Sequence, residues 1–262
     1  MFESFWRHRE LIVRLARRDL EVKYRGSLLG FVWLFLSPLL MLAVYAFVFS
    51  VVFQPRWEGG GGRGDFVLNF FMGLVIFNLF AECINRAPSL LLENVAYVKK
   101  VVFPLEILSW VALVSAVFNM AVGFFLWLGF YLIFRLHGPA LTILFLPVVL
   151  IPFFFLIAGL EWALSSLGVF IRDFRHVVSF LTAALMFLSP IFYPLSALPR
   201  SLQRFLFLNP ITYVIEQARR VALLGLSPDW GGFLIYTVIS CAVAQLSFWW
   251  FSRTRKGFAD VL

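Results

Sequence analysis

LTILFLPVVLIPFFFLIAGLEWALSSLGVFI, residues 141–171, contains a single charged side chain, Glu161. A helix needs about 20 apolar residues to cross a hydrocarbon core about 30 Å thick, and this run exceeds that length. It begins after Gly138-Pro139, and Pro147 and Pro152 within it predict kinks. Working outward, five comparable stretches complete a set of spans over 28–53, 66–85, 105–134, 141–171, 177–190 and 233–251. The second passes Glu82 on its way to Arg86, and the fifth loses helical character at Ser189-Pro190.

Across the 262 residues, 62% are hydrophobic and 14% charged, with 33 Phe and 9 Trp, and the mean hydropathy is +0.92. Globular domains carry about a quarter charged residues, so this much apolar side chain is stable only with lipid as the solvent. The expected fold class is an all-α membrane protein. It has six transmembrane helices, an N-terminal interfacial amphipathic helix over residues 1–27, and short re-entrant outer helices between spans 5 and 6.

The formal charge of +8 does not point to nucleic acid, because the basic residues sit in short stretches between apolar runs. Juxtamembrane Lys and Arg in that pattern fix orientation and touch anionic lipid headgroups. Segments 1–27, 86–104, 172–176 and 252–262 hold 15 Lys and Arg, against 7 in the opposite set, four of these in one long loop. The positive-inside rule therefore places both termini in the cytoplasm. The first 25 residues carry seven basic side chains and no apolar core of a signal peptide, so the first span is the expected insertion signal.

Three segments are neither span nor simple loop. Residues 4–25 place Leu11, Ile12, Leu15 and Ala16 on one helical face, with Arg7, Arg14, Arg17, Arg18 and Lys23 largely elsewhere. That pattern predicts a helix lying in the membrane plane. Residues 88–103, behind Pro88, mix Leu91, Leu92, Val95 and Val98 with Glu93, Lys99 and Lys100, and are too short and charged to cross. In residues 191–226, Pro194, Pro199 and Pro210 break an apolar stretch into pieces that read as re-entrant or interfacial helices, where protein or a cavity satisfies the broken backbone. The run Gly59-Gly60-Gly61-Gly62 reads as a flexible loop.

No G-x-x-x-x-G-K-[ST] occurs, so the chain has no P-loop with which to hydrolyse ATP. His8, His137 and His176 lie far apart without carboxylates at ligand spacing, and Cys83 and Cys241 stand alone in apolar runs, so no metal is expected. Neither a Ser-His-Asp set nor a nucleophile elbow appears. Glu161 is the informative charge, because a buried carboxylate costs several kcal/mol unless paired. Two readings stand for it: a hydrogen bond to another helix, or a place on the wall of a conduit. Asn69, Phe71 and Asn78 mix amides and rings in one span, as a path for sugars requires.

The chain resembles a known family at three places. RRDLEVKYRGSLLGFVWLFLSPLL is similar to an interfacial helix leading into the first span, ENVAYVKKVVFPLE to a coupling segment, and SPIFYPLSALPRSLQRFLFLNPITYVIEQAR, preceded by FIRDFRHV, to a C-terminal signature. The family is that of the type-2 ABC exporter permeases for polysaccharides and polyol phosphates. The likeness runs nearly the whole chain in order.

The resemblance implies a permease subunit in the bacterial inner membrane that moves a lipid-linked polysaccharide, O-antigen or capsular. It acts with a second copy of itself and two ABC ATPase subunits, which hold ATP and Mg. Glu93, Asn94, Tyr97, Lys99 and Lys100 then belong to the helix seated in the ATPase. Arg18, Asp19, Lys23, Tyr24 and Arg25 frame the cytoplasmic gate. Ser189, Pro190, Tyr193, Asn209, Pro210 and Arg219 build the outer cap. Teichoic acid, a glycolipid or a drug remain alternative cargoes. A proton-driven carrier is disfavoured, because only Glu82 and Glu161 are ionisable within the spans and no inverted repeat is visible. No paired carboxylates or His-Asp set supports a membrane transferase.

Overall fold

The computed structural model describes residues 2–24, 29–48, 63–99, 103–136, 138–171 and 173–261. Arg25, Lys100, His137, Arg172 and the glycine run at 59–62 lie outside the described residues. The described residues form helices and turns and no strand. The helices are α1 Phe2–Arg7, α2 Arg9–Tyr24, α3 Trp33–Phe47, α4 Arg63–Arg86, α5 Val95–Val98 and α6 Ile107–Arg135. They continue as α7 Leu146–Phe170, α8 Phe174–Phe187, α9 Arg200–Leu206, α10 Pro210–Ala222, α11 Trp230–Thr254 and α12 Phe258–Val261.

Four of these are long and apolar enough to cross a membrane: α4, α6, α7 with the 3-10 turn before it, and α11. α3 and α8 are apolar but shorter. Contacts at the helix ends fix several relative directions. Arg135 at the end of α6 bonds Asp65 at the start of α4, 2.7 Å away, so those two run antiparallel. Trp33, at the start of α3, shares a cleft with Asn85 near the end of α4, while Tyr45, near the end of α3, packs its ring 5.5 Å from that of Phe70. Ser166 near the end of α7 bonds Thr254 at the end of α11, 2.8 Å apart.

Both terminal segments meet at Glu106, just before α6. Ser4 donates to its Oε1 at 3.0 Å and Arg255 to its Oε2 at 3.0 Å. The N-terminal helices and the end of α11 therefore lie at one end of the bundle, as the even number of apolar helices requires.

α4 is the most enclosed of the four long helices, with Leu68, Phe70 and Phe71 fully buried. α6, α7, α8 and α10 pack around it. α11 is the most exposed, presenting Leu234, Ile235, Val238, Ile239 and Leu246 outward. Such a surface is stable against lipid and not against water. It is held to α7 by close backbone approach: a Cβ added at Gly159 would fall 2.7 Å from the Cα of Ala244. Small residues drive helix association in lipid in this way, because no hydrophobic effect acts between helices there.

Several expectations change. Pro147 does not kink the fourth span: it stands in the first turn of α7, where an amide hydrogen has no partner to lose, and a 3-10 turn over Leu141–Phe145 precedes it. Pro152 does lie inside the helix. The expected element over 88–103 is broken into 3-10 turns at Ala87–Ser89 and Leu92–Asn94 and a single α-turn, α5. On the apolar face of α2, Ile12 and Ala16 are buried against α6, where Ser115 donates to the Ala16 carbonyl at 3.3 Å, while Leu11 and Leu15 are half-buried.

Gly159→Ala should lower the thermal midpoint of the detergent-solubilised protein, by the roughly 1–3 kcal/mol that overpacking costs. An unchanged midpoint would mean that α7 and α11 do not approach this closely.

Candidate functional site

At the Glu106 end, charged side chains tie α2 to the segment after α4. Arg86 ends α4, and its guanidinium takes both oxygens of Asp19 on α2, at 2.6 and 2.7 Å. Its Nε also reaches Glu93 at 3.1 Å. Burial pushes the Asp19 carboxyl upward, but the hydrogen bonds and charge of Arg86, with Ser115 and Lys23, outweigh it and hold the group below its ordinary value. A depressed carboxylate stabilises the fold above its unfolded pKa, about 4. That contribution is lost as pH falls through the lower folded value.

One residue earlier on α2, Arg18 donates to the Tyr97 hydroxyl at 2.9 Å and stands 5.8 Å from its ring centre. The Tyr97 ring also stacks on that of Phe103, centroids 4.4 Å apart. Asn94 caps backbone within the same segment, donating to the Leu90 carbonyl at 2.9 Å. Glu93 and Lys99 are exposed. The backbone of this segment rests directly on α7: a Cβ at Gly168 would fall 2.0 Å from the Pro88 carbonyl oxygen. Only glycine permits that seat.

Beside this strap a cleft of about 450 Å³ opens between α2, α3, α4 and α6. Lys23 bridges to Glu82 at 2.8 Å, and Asn119 donates to both Glu82 oxygens at 2.8 and 2.9 Å. Phe71, Asn78, Asn85 and Trp33 line the rest. Of the residues expected on a conduit wall, Phe71 and Asn78 line this cleft. Glu161 instead sits in the core of the chain with no exposure, and neither carboxylate oxygen has a hydrogen-bond partner among the described residues.

At the opposite end, the helix-breaking residues converge. The Asn209 side chain caps α10, accepting from the Ile211 amide at 3.0 Å, while its Nδ2 donates to Ser189 Oγ at 2.8 Å and the Leu188 carbonyl at 3.2 Å. Pro210 occupies the first turn of α10, where its missing amide costs nothing. Tyr193 donates to the Phe187 carbonyl at 3.0 Å. Arg219, 3% exposed, donates to the carbonyls of Asn69 at 3.0 and 3.2 Å and Ile191 at 3.5 Å and pairs with Glu216 at 2.8 Å. Gly73 leaves the room it needs, since a Cβ there would lie 3.0 Å from Arg219 Nη2. Asn69 belongs to this end, about 20 Å along α4 from Glu82 at 1.5 Å per residue.

With this geometry in place, residues 10–223 match the ABC-2 type transporter family. The chain belongs to that family. An O-antigen export system permease protein, RfbA, of Myxococcus xanthus is 28% identical over 262 residues, covering 99% of this chain and 98% of the relative. A protein of the same name from Klebsiella pneumoniae is 25% identical over 258 residues, covering 97% and 95%. The polysialic acid transport protein KpsM of Escherichia coli is 25% identical over 215 residues, 80% of each chain.

The ABC-2 match spans α2 through α10, and so contains both ends of the bundle just described. Arg18, Asp19, Glu93 and Tyr97 come together at the α2 end, and Lys23 faces the cleft. Tyr24 ends α2. Ser189, Asn209 and Pro210 come together at the α10 end, with the buried Pro190 and with Tyr193 and Arg219 nearby. Arg86, Gly168 and Asn119 complete these arrangements and were not singled out from the sequence. Asn119 had a signal, as an amide within a span lacking any charge. Arg86 had a weaker one, as the cation closing the second span. Gly168 had none, since its role depends on a segment 80 residues away.

Arg86→Gln should leave Asp19 half-buried and unpaired, a cost of about 1–3 kcal/mol. Hydrogen exchange of the α2 amides should rise selectively, and exchange as slow as in the unaltered protein would show that the pair does not hold α2 in place.

Proposed function

We propose that this chain is the membrane permease of an ATP-driven exporter that moves a lipid-linked polysaccharide, of O-antigen or capsular kind, across the bacterial cytoplasmic membrane. The observation that carries this reading is the end-to-end likeness to two O-antigen export permeases, with the polysialic acid transport protein as a third relative. The sequence contains no P-loop, and in this reading ATP, with its Mg, belongs to two separate ABC ATPase subunits. The permease works as a pair of identical chains. α3 and α8 complete six crossings, and the basic bias places the α2 end and both termini in the cytoplasm.

In this reading the segment from Ala87 to Lys99 presents Glu93 and Lys99 beside Asn94 and Tyr97 as the docking element for the ATPase, and Lys100, next in sequence, belongs to it. ATP closes the ATPase pair, and it shifts the permease only by its differential affinity for that closed state. Movement of the docked segment passes to α2 through Tyr97–Arg18 and through Glu93–Arg86–Asp19. At the far end of α2, Lys23, bonded to Glu82, transmits it to the mouth of the cleft, with Tyr24 and Arg25 leading on to the first crossing. Asn78, Asn85 and Asn119 offer hydrogen bonds to sugar hydroxyls there, while Phe71 and Trp33 offer ring faces. Glu161, enclosed between helices, does not line this cleft.

Deleting the gene should cause a lipid-linked glycan to accumulate inside the cells, detectable by labelling of extracted lipids. A deletion strain with a normal surface glycan and no such intermediate would overturn the proposal. Lys99→Glu combined with Lys100→Glu should reduce co-purification of the ATPase subunit roughly tenfold or more, as loss of two interfacial charge contacts predicts, with insertion unchanged. Full retention of the ATPase would remove this segment from the docking surface.

A further inference from the structure

The α10 end carries a second polar cavity, of about 600 Å³, within the size range of small-molecule sites. Asn69, Ser196, Gln203, Glu216, Gln217 and Arg220 line it. The groove between α4, α6 and α7, lined by Met72, Phe125 and Leu146, is by contrast nearly free of polar groups and suits lipid chains.

The hydrogen-bond inventory says what the polar cavity accepts. Gln217, 8% exposed, spends its Oε1 on the Asp229 amide at 2.9 Å, and no bond among the described residues engages its Nε2. Gln203 spends its Nε2 on the Leu198 carbonyl at 2.8 Å, leaving its Oε1. Glu216 gives one oxygen to Arg219 and keeps the other. One amide donor and two acceptors thus surround a single space, joined by the exposed hydroxyl of Ser196. Sugar hydroxyls, each a donor and an acceptor at once, match such a set.

Arg219 is committed to Glu216 and to backbone carbonyls. A phosphate would meet the terminal nitrogens of Arg220, whose Nε donates to the Ser227 carbonyl at 2.7 Å, but it would also face the Glu216 carboxylate on the same wall.

We propose that this cavity is an exit subsite that holds one sugar unit of the emerging glycan by its hydroxyls. The inference rests on the polysaccharide-export reading, which places this end outside the membrane. A sugar held there between strokes of the ATPase keeps the polymer from sliding back. Asn69 of the subsite lies about 20 Å along α4 from Glu82 in the inner cleft, so different units of one chain can be gripped at the two points.

Saturation-transfer NMR tests this on the intact transporter in nanodiscs, with free glucose, galactose, mannose, rhamnose and N-acetylglucosamine as probes. At least one sugar should receive saturation from the unaltered protein. The signal should fall about fivefold in Gln203→Ala, the loss expected from one hydrogen bond. Ser196→Trp, which fills the cavity from an exposed position and leaves the core untouched, should abolish it. No signal from any of the five sugars, or equal signals in both variants, overturns the subsite. So does a cavity-dependent signal confined to glycerophosphoethanolamine, which would make the occupant a lipid headgroup.

In cells, Ser196→Trp should cut surface glycan at least about fivefold while ATPase co-purification stays intact. Normal export by that variant sinks the subsite alone. A deletion strain that accumulates no glycan sinks the export reading, whatever the sugars do in vitro.

Discussion

Lipid offers no hydrogen bonds, so every backbone amide and carbonyl in the apolar part of this chain must find its partner within the protein. That constraint is the reason the described structure is helical almost throughout, and it decides where the exceptions lie. The irregular segments sit at the two ends of the bundle, and polar side chains serve the carbonyls that no helix satisfies. Asn209 takes the carbonyl of Leu188, Arg219 that of Ile191, and Trp162 that of Glu106, 3.0 Å from its Nε1. Each of these donors is itself largely buried, so losing one would strand both partners.

The same constraint separates the two ends chemically. At the α2 end, ion pairs can be partly wet, and the structure uses them as links between elements far apart in sequence: Arg86 with Asp19, Lys23 with Glu82, Arg255 with Glu106. At the α10 end the deeply buried cation Arg219 is held by backbone carbonyls and the Glu216 carboxylate, which fix it in place. A strap of exposed or half-exposed charges can be moved by a partner protein at modest cost. A buried guanidinium cannot. The geometry therefore leaves the α2 end adjustable and holds the α10 end in one shape.

Long, strongly apolar spans were legible from residue type alone. The helices α4, α6, α7 and α11 fall within a few residues of the expected bounds, because nothing but a helix satisfies twenty consecutive apolar residues in lipid. The shorter elements were less legible. The segment after Pro88 reads as one amphipathic piece, yet it folds into 3-10 turns and one α-turn, since its backbone must lie flat against Gly168. α2 carries an amphipathic pattern that lipid or protein could cover equally well, and periodicity cannot tell which.

Taken by itself, the amino-acid sequence determined the solvent, the helical class, the placement of the long spans and the lack of a nucleotide-binding loop, because each follows from local composition or a contiguous motif. Only the tertiary structure decided which polar groups meet. Asp19 and Arg86 are 67 residues apart, and Arg219 reaches a carbonyl 150 residues away. The enclosure of Glu161, the cleft around Glu82 and the polar cavity at the α10 end all arise where three or more helices converge, and no pattern confined to one helix encodes that convergence.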